Sequence, residues 1–317
     1  MPTAAAPLIA IVGPTGSGKS ALALRLAQAC SGEIVNCDSL QLYRGFDIGT
    51  AKTPAPARSG IPHHLLDVLD PATRYSAGEY ARSAGAVIAD ITVRGKLPVV
   101  AGGTGFYLRA LLDGLPALPG REESLRVRLA AREQRRPGSL HRLLTRLEPQ
   151  AAARIHQNDV QKTLRALELR LLTGVVLPPR HAGEPLTGYA PLILGLSPDR
   201  AQLVEAIRVR TRRMFDAGPD SGLIGEVRGL LAQGCTGTEK PFESLGYKQA
   251  LAYLQGRLAL PDAIAQCEIE TRQYAKRQWT WFRRDPRVQW LEGFGDDPRI
   301  AERALALVRD FLHIPQL

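Results

Sequence analysis

Four short apolar runs stand out along the chain: LIAIV at 8–12, EIVNC at 33–37, LPVVA at 97–101 and PLILGL at 191–196. The first of these is a continuous apolar run, as expected of a strand covered on both faces in a parallel sheet, and the others are read as further short strands. Between the first two lies SALALRLAQAC, a helical stretch that stops near Ser31-Gly32. Strand, glycine-rich loop, helix, strand is the opening of a doubly wound α/β domain, whose ligands sit beyond the carboxyl ends of the strands. The second run ends at Asp38, and the third ends at Val100 and delivers Gly102, Gly103, Thr104 and Gly105 to the same edge.

From Pro116 and Pro119 to about Gly174 the texture changes to leucine- and arginine-rich helical sequence without a strand-like run. Because PLILGL then resumes the sheet pattern, this stretch is predicted to be a helical insertion, residues 120–189, within a core made of 1–119 and 190–317. One of its helices has the spacing of a capping box in Asn158 and Gln161, a terminal cap in Gly174, and a buried stripe of Leu164, Leu167 and Leu171. Gln161 and Arg165, four apart, share a neighbouring face. A further helix is predicted to start at Ser197-Pro198, serine as N-cap and proline in the first turn. Its stripe runs Leu203, Ile207, Arg210, Met214, so an arginine occupies an apolar position. The remainder, to Leu317, reads as helices joined by turns, without repeats.

Composition adds limits. The 317 residues are 44% hydrophobic and 23% charged, ordinary for a soluble globular protein. Four scattered cysteines form no Cys-x2-Cys pair, which argues against structural zinc and for a reducing compartment. The start, MPTAAAPLIAIV, has no basic region before its apolar run, and that run passes into the glycine-rich loop too soon for a signal peptide or membrane span, so a cytoplasmic protein is expected. Net charge is +10, and between Arg121 and Arg180 thirteen Arg or Lys face six Asp or Glu. Such a segment is either a nucleic-acid-facing surface or a solvated helical face. Arginine outnumbers lysine 34 to 7, which suits bidentate phosphate contacts and equally a GC-rich genome.

The candidate chemistry starts at residues 13–20, GPTGSGKS, a phosphate loop formed by Gly13, Pro14, Thr15, Gly16, Ser17, Gly18, Lys19 and Ser20. Its backbone N–H groups and Lys19 surround an anion, and Ser20 is placed to ligate Mg2+ bridging phosphate oxygens. Nothing in those eight residues restricts the anion to ATP. Asp38, at the neighbouring strand end, is a turn residue, a metal ligand or a general base. The following loop, DSLQLYRGFDIGTAK, is too long for a simple turn and suits substrate reading. Arg210, directed at the core side, needs a partner, either a bound diphosphate or an internal carboxylate, whereas Arg208, Arg212 and Arg213 fall on the solvated side. In TRQYAKRQWTWFRR, Tyr274, Trp279, Trp281 and Phe282 interleave with basic residues, as stacking platforms for bases or as core packing. His63 and His64, adjacent on an extended segment, point opposite ways and form no ligand set.

Taken in order, GPTGSGKS, DSLQLYRGFDIGTAK, IPHHLLD, VVAGGTGFYLRALLDGL, NDVQKTLRALE and TRQYAKRQWTWF resemble the tRNA dimethylallyltransferase family, from about residue 8 to 284. The resemblance implies a P-loop NTPase-like α/β fold with an inserted helical lobe. It implies transfer of a dimethylallyl group from dimethylallyl diphosphate to N6 of the adenosine just 3′ of the anticodon, with Mg2+ as cofactor and the tRNA anticodon stem-loop as partner. The phosphate loop would hold the isoprenoid diphosphate. Lys19 and Arg210 would stabilise its leaving charge, Asp38 would take the amine proton, and Thr104 would sit beside the reacting groups. By the same resemblance Asp38, Ser39, Leu40, Gln41, Thr104, Arg126, Gln161, Lys162, Thr163, Leu164 and Arg165 contact tRNA; a base that must reach a site at the bottom of a sheet crevice is expected to be flipped out, and a monomer is expected. The chain departs from the family by a short insertion after Gly218 and by Phe242-Glu243 ahead of SLGYKQ, and it lacks the cysteine pair of the eukaryotic zinc finger.

Three rival functions fit less well. A small-molecule kinase would want a strand-ending aspartate where VVAGG has glycines. A prenyltransferase acting on free adenine nucleotides would not need a 60-residue arginine-rich lobe. An RNA-binding protein with a decayed loop would not be expected to keep Lys19, Ser20, Asp38 and Thr104 together. The DDxxD signature of isoprenoid synthases is absent, since Asp296-Asp297 is followed by Pro-Arg-Ile.

Overall fold

All four apolar runs are strands in the computed structural model, which describes residues 5–116, 118–174, 184–215 and 221–313. In chain order come β1 (Ala6–Val12), α1 (Lys19–Ala29), β2 (Gly32–Asn36), β3 (His63–His64), α2 (Ala77–Val93), β4 (Leu97–Ala101) and α3 (Gly105–Leu112). Four helices follow: α4 (Glu123–Arg135), α5 (Ser139–Leu147), α6 (Pro149–Arg154) and α7 (Val160–Thr173). The chain then returns through β5 (Tyr189–Leu196), α8 (Arg200–Phe215), α9 (Gly222–Ala232), α10 (Tyr247–Leu254), α11 (Leu260–Phe282), β6 (Val288–Leu291) and α12 (Pro298–Phe311).

The strands form one parallel sheet in the order β3-β2-β4-β1-β5-β6. From Leu8 to Val12 every residue of β1 is buried, as expected of a central strand covered on both faces. Ile9 and Ile11 pack into one core with Leu22 and Leu26 of α1 and Ala304 and Val308 of α12. The order reverses between β4 and β1, so the loops after these two strands flank the crevice in which ligands of such sheets bind.

Several local expectations need correction. The C-terminal stretch is not all helical: β6 pairs Val288 with Ile193 and Leu291 with Leu196 at the sheet edge. Its sequence, VQWL, carries a polar residue inside four positions and so gives no apolar run. Helix α8 is capped by Asp199, whose Oδ1 accepts from the N–H groups of Ala201 and Gln202 at 2.9 and 3.0 Å, and not by Ser197. Ser197 lies two residues ahead of the cap position, still in the extended chain, where its N–H donates to Leu291 O (2.9 Å). Asp159, not Asn158, caps α7, accepting from Lys162 N at 3.1 Å, while Gly174 ends that helix with φ 68° as expected. Leu164 and Leu167 are buried, but Leu171 is 49% exposed and lies off the stripe.

The chain divides into an α/β unit, Met1–Leu112 with Leu186–Leu317, and a helical unit, Asp113–Pro185. These borders fall before the 120 and 189 expected from sequence. Leu112 closes α3, and Leu186 donates to its carbonyl (3.3 Å), so the chain re-enters the α/β unit ahead of β5. The helical unit has its own core, including Leu125, Leu129, Leu140, Leu144, Leu164 and Leu167. Within that core Glu168 is fully buried and accepts from Arg126 (3.1 Å), Arg165 (2.7 Å) and Glu122 N (2.7 Å). The insertion after Gly218 lies outside the described residues. Among the described residues no helix is long and apolar enough to cross a membrane.

Candidate active site

The phosphate loop connects β1 to α1. Gly18, at the N-cap of α1, has φ 83°, and a Cβ there would lie 2.7 Å from Gly295 N, so the turn into the helix requires glycine twice over. The loop presents backbone N–H groups at a helix N-terminus, the geometry that binds phosphate. Inside it the Ser17 hydroxyl is buried with no hydrogen-bond partner among the described residues, a cost of about 1–3 kcal/mol that a polar ligand would relieve.

Two cations reach the loop. Lys19 Nζ donates to Pro14 O at 2.8 Å, and burial pulls its pKa down to about 8, with Asp38 pulling it back up and Arg210 adding to the fall. Arg210 Nη2 donates to Thr15 Oγ1 at 2.8 Å, and its guanidinium is likewise shifted down by burial. Arg210 thus meets the loop itself, and the nearby Asp38 favours its charge without forming an ion pair with it among the described residues. Arg208 and Arg212 pair with Glu205 and Glu268 on the outside, as their positions off the stripe imply.

Asp38 follows β2 directly. Asn36 shapes that turn: its Oδ1 accepts from Asp38 N (3.0 Å), and its Nδ2 donates to Asp38 O (3.0 Å) and Leu65 O (2.9 Å). One carboxylate oxygen of Asp38 accepts from Leu40 N at 2.9 Å. Thr104, from the loop after β4, locks onto the same turn: its N–H donates to Cys37 O (3.1 Å) and its Oγ1 accepts from Ser39 N (3.0 Å). The charge of Asp38 acts on Lys19, Arg210 and Tyr274, so the structure gathers Lys19, Asp38, Thr104 and Arg210 at one sheet edge. Tyr274 lies against Thr104 and Gln278, and burial, then Asp38, pushes its phenol up.

The long loop after Asp38 is anchored at both ends. Gln41 Nε2 donates to Thr50 O (3.0 Å), and buried Lys52 bonds Asp47 and Asp67, each at 2.5 Å. Between these anchors Glu226 of α9 accepts from Asp47 N (3.1 Å) and Ile48 N (2.7 Å), while Tyr247 of α10 donates to Glu226 and accepts from Gly49 N (3.1 Å). Sequence reasoning missed this clamp, and it missed Gln278. Gln278 is 5% exposed, accepts from Thr15 N at 2.7 Å and donates to Gly103 O at 2.8 Å. A signal was available, since Gln278 stands on the stripe Cys267, Thr271, Ala275, Gln278, Phe282 that α11 buries. The stretch 271–284 divides its work: Phe282 is core, Trp281 is 40% exposed, and Arg283 lies over Trp279 at 4.6 Å.

In the helical unit Gln161 and Lys162 are exposed, and Arg126 and Arg165 are held by Glu168. Thr163 and Leu164 are 1% and 4% exposed; their side chains belong to that unit's core and present nothing to a partner. His63 and His64 are structural: His63 Nδ1 bonds Ile61 O (2.8 Å), and His64 Nε2 bonds Glu33 (2.7 Å), whose carboxyl Arg94 holds down at about 2.

Ser20, at the start of α1, is exposed at the loop rim, and no group of three His, Cys, Asp or Glu able to hold a metal exists among the described residues. One hydroxyl and the Asp38 carboxylate are hard oxygen donors, which fits Mg2+ bound largely through ligand phosphates and unlike a dedicated protein cage.

A phosphate loop with two burial-depressed cations, faced by a carboxylate and a hydroxyl from adjacent strand ends, defines a P-loop transferase that works on a phosphorylated donor. Comparison with known proteins narrows the class. The model of the IPP transferase family matches residues 41–285, and that of isopentenyl transferase matches residues 6–59. A tRNA dimethylallyltransferase of Solibacter usitatus is 56% identical over 308 residues, 96% of this chain and 99% of that one. The crystal structure of the full-length tRNA isopentenylpyrophosphate transferase of Bacillus halodurans superposes with a TM-score of 0.70 at 35% identity, covering 97% of this chain and 95% of the other. A eukaryotic dimethylallyltransferase acting on tRNA gives 0.79 at 27% identity over 98% and 81%. The chain belongs to the tRNA dimethylallyltransferase family.

Proposed function

We propose that the protein transfers the dimethylallyl group of dimethylallyl diphosphate to N6 of the adenosine 3′-adjacent to the anticodon of tRNA, as a cytoplasmic monomer. The observation that carries this is the convergence of two cations on the phosphate loop, Lys19 through Pro14 O (2.8 Å) and Arg210 through Thr15 Oγ1 (2.8 Å), with the Asp38 turn held beside it by Thr104. An anion at the loop compensates the excess of positive charge, and a diphosphate that gains charge as its C–O bond breaks is held more tightly in the transition state than in the bound donor.

The bond changes balance without a further reactant. The N6 lone pair forms a bond to C1 of the dimethylallyl group, the C1–O bond breaks with its electrons going to diphosphate, and the N6 proton passes to the Asp38 carboxylate. Backbone N–H groups of Gly16 to Ser20, Lys19 and Arg210 hold the leaving group. Mg2+, held by Ser20 and the phosphate oxygens, supplies further charge neutralisation when bound. Thr104 keeps the Asp38–Ser39 turn in place, which orients the carboxylate towards the amine. Contacts to tRNA are assigned to Asp38, Ser39, Leu40, Gln41 and Thr104 in the α/β unit and to Arg126, Gln161, Lys162 and Arg165 in the helical unit. Arg126 and Arg165 retain N–H donors beyond those given to Glu168. Because base-paired or stacked adenine hides N6, the target nucleotide must be extruded.

The test is incubation of the purified protein with dimethylallyl diphosphate, Mg2+ and an anticodon stem-loop, followed by mass spectrometry of the nucleosides. A mass gain of one dimethylallyl group on adenosine, with diphosphate released and AMP a poor acceptor, is expected. Phosphoryl transfer from ATP with no prenylated product would overturn the assignment.

A further inference from the structure

Helix α11 lays down a buried face that is apolar or small except where Gln278 interrupts it. A carboxamide in such a place is tolerated only when its donors and acceptor are used. Here both ends are: Oε1 accepts from Thr15 N (2.7 Å) and Nε2 donates to Gly103 O (2.8 Å). The two partners belong to opposite halves of the site. Thr15 lies in the phosphate loop, and Gly103 precedes Thr104, whose Oγ1 accepts from Ser39 N beside Asp38 (3.0 Å). A hydrogen-bonded path therefore runs from the loop through one side chain to the turn that carries the carboxylate. Gly103 is suited to this, since a Cβ there would overlap Gln278 Nε2.

We infer that Gln278 is a positioning residue that fixes the spacing between the phosphate loop and the Asp38–Ser39 turn, and hence between leaving group and proton acceptor. The inference rests on the transferase reading above for its catalytic meaning, though the tie itself is geometric. Thr15 is gripped a second time by Arg210 through its hydroxyl, so α8 and α11 together seat the loop. The side chain fits the task uniquely among close isosteres. Glutamate keeps the acceptor for Thr15 N and loses the donor for Gly103 O, and alanine loses both.

The experiment compares wild type, Gln278→Ala and Gln278→Glu by amide hydrogen exchange and by steady-state kinetics with dimethylallyl diphosphate and the stem-loop. Alanine is expected to speed exchange in both 13–19 and 36–42, with β1 and α12 unchanged, and to lower kcat by on the order of 10²-fold while KM for either substrate moves little. Glutamate is expected to speed exchange in 36–42 more than in 13–19. Unchanged exchange at both segments in the alanine variant, equal loosening of both by glutamate, or a loss of activity carried entirely by KM would overturn the inference. The exchange measurement needs no substrate, so failure of the tie and failure of the transferase reading are told apart: wild type that tied the segments but transferred no prenyl group would count against the reading alone.

Discussion

Lys19 holds its charge against the surrounding protein. Its folded pKa of about 8 lies below the ordinary 10.5, chiefly through burial. Below pH 8 the lysine is charged in both folded and unfolded chains, and the folded one bears the full desolvation penalty; between 8 and 10.5 it sheds its proton only when folded, so the penalty fades as pH rises. Diphosphate binding runs the other way, because the anion needs the charged form. Inorganic diphosphate should therefore raise the melting temperature clearly at pH 7 and much less at pH 9; an equal rise at both would mean that Lys19 does not sense the ligand. For Asp38 the expectation concerns rate. Asp38→Asn should cut kcat by about 10²- to 10⁴-fold, since the proton acceptor is lost, while stem-loop affinity falls by no more than the loss of one hydrogen-bonding contact allows. Arg210 was legible in sequence as a charge on an apolar stripe. Gln278 breaks the stripe of α11 by the same logic, but it lies amid aromatic and basic residues that suit base stacking equally well.

At the scale of elements, the strands that carry the site were legible because β1, β4 and β5 are buried and read as apolar runs, and β2 keeps Ile34 and Val35 between a buried Glu33 and Asn36 whose polar groups are paired. Edge strands gave no such signal, β3 having two residues and β6 a glutamine within four. Residue type alone puts the caps one or two residues early, at Asn158 and Ser197, because aspartates at 159 and 199 compete for the same amides. The clamp on the long loop could not be read at all, since Glu226 and Tyr247 lie about two hundred residues from the amides they hold. Its removal should be measurable. Tyr247→Phe deprives Glu226 of a donor and Gly49 N of an acceptor, which should lower stability by about 1–3 kcal/mol in urea titrations. It should also raise KM for the stem-loop while leaving KM for dimethylallyl diphosphate unchanged, and equal effects on both would show that the loop does not read RNA.

For the whole molecule, the strand-free, leucine- and arginine-rich sequence after Pro119 foretold a distinct unit, although its borders were set by where the chain leaves α3 and rejoins β5. Arg128, Arg132 and Arg135 form one exposed face of α4. Reversing all three to glutamate should weaken stem-loop binding and flatten its salt dependence, in proportion to the number of phosphates no longer neutralised, without changing the melting temperature by more than a degree or two, roughly what surface substitutions cost. An unaltered slope of log affinity against log salt would assign that face to solvent. The bond between Thr15 and Gln278 joins residues 263 apart. A ribosome adding about 5 to 20 residues each second has made the phosphate loop roughly ten to fifty seconds before the glutamine that seats it. Over that interval the nascent β1 also waits for β4 and β5, leaving its apolar residues for chaperones to shield. Translation arrested before α11 should accordingly yield a product that is degraded or aggregated, with no capacity for diphosphate.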